Sequence, residues 1–115
     1  LKTDSGIAGG EKALEQLEAA NASCRAIVSS EDILAAGVLK ALARRGKKVP
    51  ENVAVFGYND SIIARCTSPG LSSVDNKVGA LAKAAANILC WVLHGEKIPP
   101  HHTIVPELVF RQSCP

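Results

Sequence analysis

Residues 24–60 read CRAIVSSEDILAAGVLKALARRGKKVPENVAVFGYND, and two short apolar runs in this stretch flank a segment of helical spacing. The runs, 24–29 and 53–56, are of strand length, and β-branched Ile27 and Val28 suit a buried strand. Between them Ile33, Leu34, Val38, Leu39 and Leu42 recur along one helical face. Ser29, three residues before Asp32, can cap the helix start through its hydroxyl. Gly46, with Pro50 just beyond, marks its end. Strand, helix and strand in this order predict a parallel pair joined by a right-handed crossover.

Outward from this unit the same alternation continues. Asp4, Ser5 and Gly6 read as a turn before a helix over about 9–20, with Ala13, Leu14, Leu17 and Ala20 on one face. A short helix is expected over 61–66, closed by Ser68-Pro69-Gly70, and an extended stretch over 71–74. Asn76 is placed to cap the longest helix, 77–94, whose stripe is Val78, Leu81, Ala82, Ala85, Ile88, Leu89 and Val92. Trp91 and Cys90 lie outside that stripe, so this helix should have a second partner. Gly95 ends it and Pro99-Pro100 keeps the chain from continuing. A last extended segment, 103–110, is interrupted at Pro106, because proline cannot donate in a ladder. The fold class is α/β, a parallel sheet flanked by helices.

In such sheets ligands gather at the carboxyl ends of the strands. Two polar clusters stand there: Ser29-Ser30-Glu31-Asp32 and Gly57-Tyr58-Asn59-Asp60. Glu31, Asp32, Asn59 and Asp60 together can hold several hydroxyls or amines of a small polar ligand. Asp32 and Asp60 serve equally as starts of the helices that follow, since such turns attract these residues for local reasons. Glu31 and Asn59 are harder to explain as caps and weigh toward a binding site.

Composition narrows the function. The 115 residues are one domain's worth, enough for a modest core. A net charge of +2 is too small to argue for a nucleic-acid surface. The cluster Arg44, Arg45, Lys47 and Lys48 falls at a helix end, where cations are favoured by the helix dipole. The four cysteines have no zinc-ligand spacing, so no metal is expected. Apolar runs are too short for a membrane span, the opening residues do not resemble a secretory signal, and a reducing cytoplasm is the expected compartment. No cofactor is expected. The chain has neither a GxSxG elbow nor a glycine-rich phosphate loop after a strand. His94, His101 and His102 lie at a helix end or in the proline-rich loop. No catalytic residues are assigned, and an enzyme is not expected.

The stretch AIVSSEDILAAGVLKALARRGKKVPENVAVFGYNDSIIARCTSPGLSSV resembles the central signature of the LacI/GalR transcriptional regulators. VGALAKAAANILCWVLHGEKIPP and IVPELVFRQS resemble that family's later helix and closing Pro-x-Leu-Val-x-Arg-x-Ser element. The likeness runs from about residue 26 to 113, with several motifs in order and spacing. It implies a partial type I periplasmic-binding-protein-like fold. Residues 1–70 would form mainly the C-terminal subdomain, 71–98 the crossover and a helix of the other subdomain, and 99–115 the returning strand.

By this resemblance the effector, a sugar or related small polar molecule, would meet Glu31 and Asn59, with Ser5 and Asn76 as further positions. Many sugar-binding members have Asn where Glu31 stands and Asp where Asn59 stands; here carboxylate and amide trade places. A homodimer face would involve Leu34, Ala35, Val38, Ile62, Ile63 and Cys66, for which plain core packing is the competing reading. Operator DNA would be bound only through an N-terminal helix-turn-helix outside these residues. A sugar-binding protein of a transport system and an α/β enzyme domain remain as alternatives.

Overall fold

The computed structural model describes residues 1–98 and 101–115. The elements run α1 (Gly6–Ala19), β1 (Ala26–Val28), α2 (Asp32–Arg44), β2 (Ala54–Phe56), α3 (Ile62–Cys66), β3 (Ser73–Asp75), α4 (Val78–Leu93) and β4 (Glu107–Val109). The expected order is therefore present, with α1 starting three residues early and every strand trimmed to three residues. The anticipated stop at Pro99-Pro100 lies outside the described residues.

β1 and β2 are parallel, with Ile27 opposite Val55, and α2 is the crossover between them. Beyond β2 the parallel arrangement extends only by a single bridge, Phe56 to Ser72. β3 pairs instead with β4, antiparallel, with Ser73 opposite Val109 and Asp75 opposite Glu107. The parallel sheet read from the sequence is thus a two-stranded core unit plus a separate antiparallel ribbon.

Leu14, Ala35, Val38, Leu39, Ala41, Leu42, Val55, Ala64 and Leu71 form the core, with Ile27, Val49 and Val53 packed against it. Ala35, Val38, Leu39 and Leu42 stand at i, i+3, i+4 and i+7, which lays one α2 stripe onto the core. α1 crosses α2 at Gly10 and Gly37. A Cβ on Gly37 would collide with the Ile7 carbonyl, and one on Gly10 with the Leu34 carbonyl. Only glycine allows the two backbones to approach this closely.

This packing narrows the α2 positions open to a dimer face. Ala35 and Val38 are 0% and 3% exposed within the single chain, and Leu34 is half-buried beside Gly9. Ala35 and Val38 are taken up by the chain's own core, so of the three α2 positions only Leu34 keeps open surface. Ile62 and Cys66 remain exposed and Ile63 half-buried.

Two further expectations change. β1 is not a buried strand: Ala26 is exposed and Val28 is 78% exposed, because the face they share is left uncovered among the described residues. Asn76 does not cap α4; Lys77 occupies that place at φ 53°, and its backbone N–H donates to Asp75 Oδ1 at 2.7 Å.

The C-terminal segment closes a polar seam through the interior. Ser113 Oγ–H donates to the Val55 carbonyl at 2.6 Å and accepts from Ser72 N–H at 2.8 Å. The Ser113 carbonyl accepts from Val55 N–H at 3.0 Å. Ser72, Ser73 and Ser113 are fully buried, yet every hydroxyl among them is hydrogen-bonded, as burial of polar groups requires.

α4 stands apart from this core. No residue of it is buried among the described residues, and Val78, Leu81, Leu89, Val92 and Leu93 are all more than half exposed. The radius of gyration is 17.8 Å, where a compact chain of this length would give about 13 Å. An apolar helix left in water in this way has an unfilled partner face.

Candidate functional site

Parallel pairing sends the carboxyl ends of β1 and β2 to one rim, and the Phe56–Ser72 bridge brings the end of β3 to the same side. Three turns meet there: 29–32, 57–60 and 75–77. The first two are tied directly, since Asp32 N–H donates to the Tyr58 carbonyl at 3.1 Å. The second and third are tied by side chains, with Asn76 Nδ2 donating to Asn59 Oδ1 at 2.6 Å. A Cβ on Gly57 would strike Asp32 Oδ1, so glycine is needed where these turns close on one another.

Asn59 and Asp60 both adopt left-handed backbone, φ 102° and 45°. Such conformations cost of the order of 1–3 kcal/mol each in non-glycine residues and persist only where surroundings enforce them. Here three successive amides are held. Asn59 N–H donates to the Val74 carbonyl at 2.9 Å, Asp60 N–H to Ser73 Oγ at 3.1 Å, and Ser61 N–H to Asp32 Oδ2 at 2.6 Å.

Among the sequence-predicted residues, two roles separate. Asp32 is 2% exposed, and its other oxygen accepts the Ser73 hydroxyl at 2.5 Å. It sits in the first turn of α2, where the helix dipole favours a carboxylate. Asp60 is also turned inward, its side chain 7% exposed, with Oδ1 at 2.7 Å from Arg111 Nη2 and Oδ2 at 3.3 Å from Arg65 Nη2. The first of these is an ion-pair distance without the alignment of a hydrogen bond. Both aspartates therefore support the rim from beneath.

Glu31, Asn59 and Asn76 stay accessible. Glu31 has extended backbone and no capping bond from its side chain, and among the described residues no ion pair engages its carboxylate. Asn59 is exposed and Asn76 half-buried. Ser5 is exposed at the start of α1, makes no capping bond, and is joined to this cluster by no hydrogen bond among the described residues.

Beside Asn76 lies a charged tie. Lys77 Nζ is 2.6 Å from Glu107 Oε2 and 2.9 Å from Asp75 Oδ2, bridging the cross-strand pair of β3 and β4. Hydrogen bonding to Glu107 and then to Asp75 raises the Lys77 ammonium above its ordinary value. The Lys77 side chain, followed by its backbone N–H, holds Asp75 below the usual carboxylate range. An open groove of about 550 Å³ runs between α1, β1 and α2 and reaches the first rim turn, lined by Thr3, Gly10, Val28, Ser29, Ser30 and Leu34 among others. Glu31 and Asn59 line none of it.

Sequence reasoning missed Arg111, Arg65 and Ser73. Arg111 lies in the closing Pro-x-Leu-Val-x-Arg-x-Ser element and was readable there as a motif position, though not as a contact of Asp60. Tyr58, 42% exposed beside Asn59, also reaches the rim. Among the described residues no group of three or more His, Cys, Asp or Glu is arranged to hold a metal, and no helix is long and apolar enough to cross a membrane.

A parallel unit, a crossing ribbon and a polar rim at the strand ends are the architecture of a periplasmic-binding-protein-like domain. The sequence matches the periplasmic binding protein-like domain over residues 2–114, and the chain belongs to that family, in the branch of LacI-type regulators. It is 38% identical over 106 residues to the HTH-type transcriptional regulator AscG of Escherichia coli, covering 92% of this chain and 32% of that protein. A sugar-binding transcriptional regulator of the LacI family from Escherichia coli, solved in complex with phosphate, superposes with a TM-score of 0.88. It shares 36% identity, and the match covers 96% of this chain and 40% of that one. The transcriptional regulator CelR in its cellobiose complex gives a TM-score of 0.86 at 28% identity, covering 96% of this chain and 34% of that one. The chain spans 26–32% of the length of the first curated relatives it matches.

Proposed function

We propose that this chain is the larger part of the C-terminal subdomain, with crossover segments, of a sugar-responsive transcriptional regulator. Glu31, Asn59 and Asn76 form its half of the effector site. The observation that supports this best is the meeting of three strand ends at one rim, where Asn76 is bonded to Asn59 and the Glu31 carboxylate has no ionic partner among the described residues. Carboxamide pairs present both donors and acceptors, which suits vicinal hydroxyls. Tyr58 adds an amphipathic ring beside them. The unpaired carboxylate favours a ligand rich in donors, such as a neutral or amine-bearing sugar. Asp32 and Asp60 leave the contact set and act as supports.

Residues 1–70 belong on this reading to one subdomain, 71–98 to the crossover and a helix of the other, and 99–115 to the return. The remaining half of the cleft and the DNA-binding unit come from other parts of the regulator, which acts as a homodimer in the bacterial cytoplasm, without catalysis.

The test is calorimetric titration of the complete regulator with cellobiose, lactose and an amino sugar, repeated on Glu31→Ala and Asn59→Ala. Loss of one buried hydrogen-bond partner costs about 1–3 kcal/mol, so affinity should fall roughly 5- to 150-fold in each variant. Unchanged affinity in both would move the site elsewhere. Failure of the regulator to bind any DNA would favour the transport-protein reading instead.

A further inference from the structure

The rim turn is tied down by a residue from the far end of the chain. Arg111 follows β4, and its backbone N–H donates to Ser72 Oγ at 2.7 Å. Its guanidinium spans two groups: Nη1 donates to the Leu71 carbonyl at 2.8 Å, and Nη2 lies 2.7 Å from Asp60 Oδ1. The Arg111 side chain is 21% exposed and that of Asp60 7%, whereas the second cation on Asp60, Arg65, is 63% exposed and correspondingly screened. Arg111 is thus the better-shielded counter-charge of an aspartate that stands in left-handed backbone directly after Asn59.

We infer that Arg111 is a positioning residue of the effector site. By pinning the Asp60 carboxylate to the strand leading into β3, it fixes the Asn59–Asp60 turn and presents the Asn59 carboxamide to the rim beside Asn76. The inference rests on the proposed role of Asn59. A guanidinium is required because two nitrogens of one planar group reach two fixed acceptors; a lysine ammonium, a single point charge, cannot span both. The connection runs from the β3–β4 ribbon to the rim, so a change in how the ribbon sits would be felt at Asn59.

Two measurements on the complete regulator decide the matter. The first is hydrogen exchange, without ligand, on peptides covering residues 57–61 and 33–44. In Arg111→Met the first peptide should exchange about ten-fold faster or more while the α2 peptide is unchanged, the signature of a local opening. Arg111→Lys should recover little of the protection. An unchanged first peptide, or an equal rise in both, would overturn the inference, because a merely structural residue lowers protection everywhere.

The second is cellobiose affinity in a double-mutant cycle. Arg111→Met should weaken binding in the parent background and have no additional effect once Asn59 is alanine. Additive losses would show that Arg111 acts on the ligand by another route and overturn the inference. If Asn59→Ala alone binds cellobiose as the parent does, the proposed role of Asn59 fails. If the parent does not bind cellobiose, the exchange comparison decides the inference alone.

Discussion

Replacing Asp32 with alanine removes a carboxylate that is 2% exposed and accepts two hydrogen bonds, one from the Ser73 hydroxyl and one from Ser61 N–H. Ser73 is fully buried and Ser61 half-buried, so water replaces the lost acceptor poorly at the first and partly at the second. A buried donor left without a partner costs about 1–3 kcal/mol. With Ser73 near the middle of that range and Ser61 at the bottom, the expected loss is about 3 kcal/mol. Asp32→Asn keeps the volume and one acceptor, and should cost about 1 kcal/mol. With a urea slope of roughly 1.5 kcal/mol/M, the alanine variant should unfold about 2 M earlier. Far-UV circular dichroism is the suitable signal, because Trp91 lies on the exposed α4 and reports little of the core. The cycle with Ser73→Ala should give a coupling of about 1–2 kcal/mol. A midpoint shift for Asp32→Ala below about 0.3 M would show that the carboxylate is not the tie described here.

Three other outcomes follow from the packing and the charges. Gly37→Ala should push α1 off α2 and cost more than about 2 kcal/mol, well beyond the gain in helix propensity; a thermal melt no lower than the parent's would refute the close crossing. Val38→Asp should unfold the chain, an unpaired buried charge costing about 3–5 kcal/mol, whereas Ile62→Asp should leave the dichroism spectrum intact. Sedimentation of the Ile62 variant then reports whether α3 contributes to association, and an unchanged dimer would remove it from that face. The Asp75–Lys77 tie should weaken in acid. The folded-state value of Asp75 is depressed, so its contribution is present above the ordinary value of 3.8 and is lost as pH falls below it through the folded value. A carboxyl resonance of Asp75 titrating at or above 3.8 would contradict this.

The alternation of periods made the elements readable. Apolar runs of strand length around a 3.6-residue stripe located β1, α2 and β2 within a few residues, and Gly46 marked where α2 ends. The rim was readable for the same reason, since strand ends follow from strand order. What the sequence does not distinguish is which of two adjacent polar residues turns inward. Glu31 and Asp32 differ by one methylene, yet one is accessible and the other buried, because the hydroxyl that rewards burial sits on Ser73, 41 positions away. The α2 stripe shows the same limit. A single buried face reads alike whether it meets a second copy or the chain's own core, and only the fold shows that Ala35 and Val38 lie in the latter. The pairing of β3 with β4 was also illegible, because neither three-residue strand carries a pattern that names its mate.

Ser113 and Arg111 have a bearing on how the protein is made. Ser113 bonds to Val55 across 58 positions and to Ser72 across 41. Once residue 98 has left the ribosome, α1–α4 and β1–β3 are in place to pair, but the segment that satisfies β2 and the Asn59–Asp60 turn is not. Contacts this distant in the chain close late and slowly. During synthesis the nascent intermediate carries an unsealed β2 edge, and such an edge invites aggregation or chaperone capture. Premature termination between residues 98 and 111 should consequently yield a species that holds its helices but is cleared from the cell. Sealing of the core is thus coupled to translation having reached this segment.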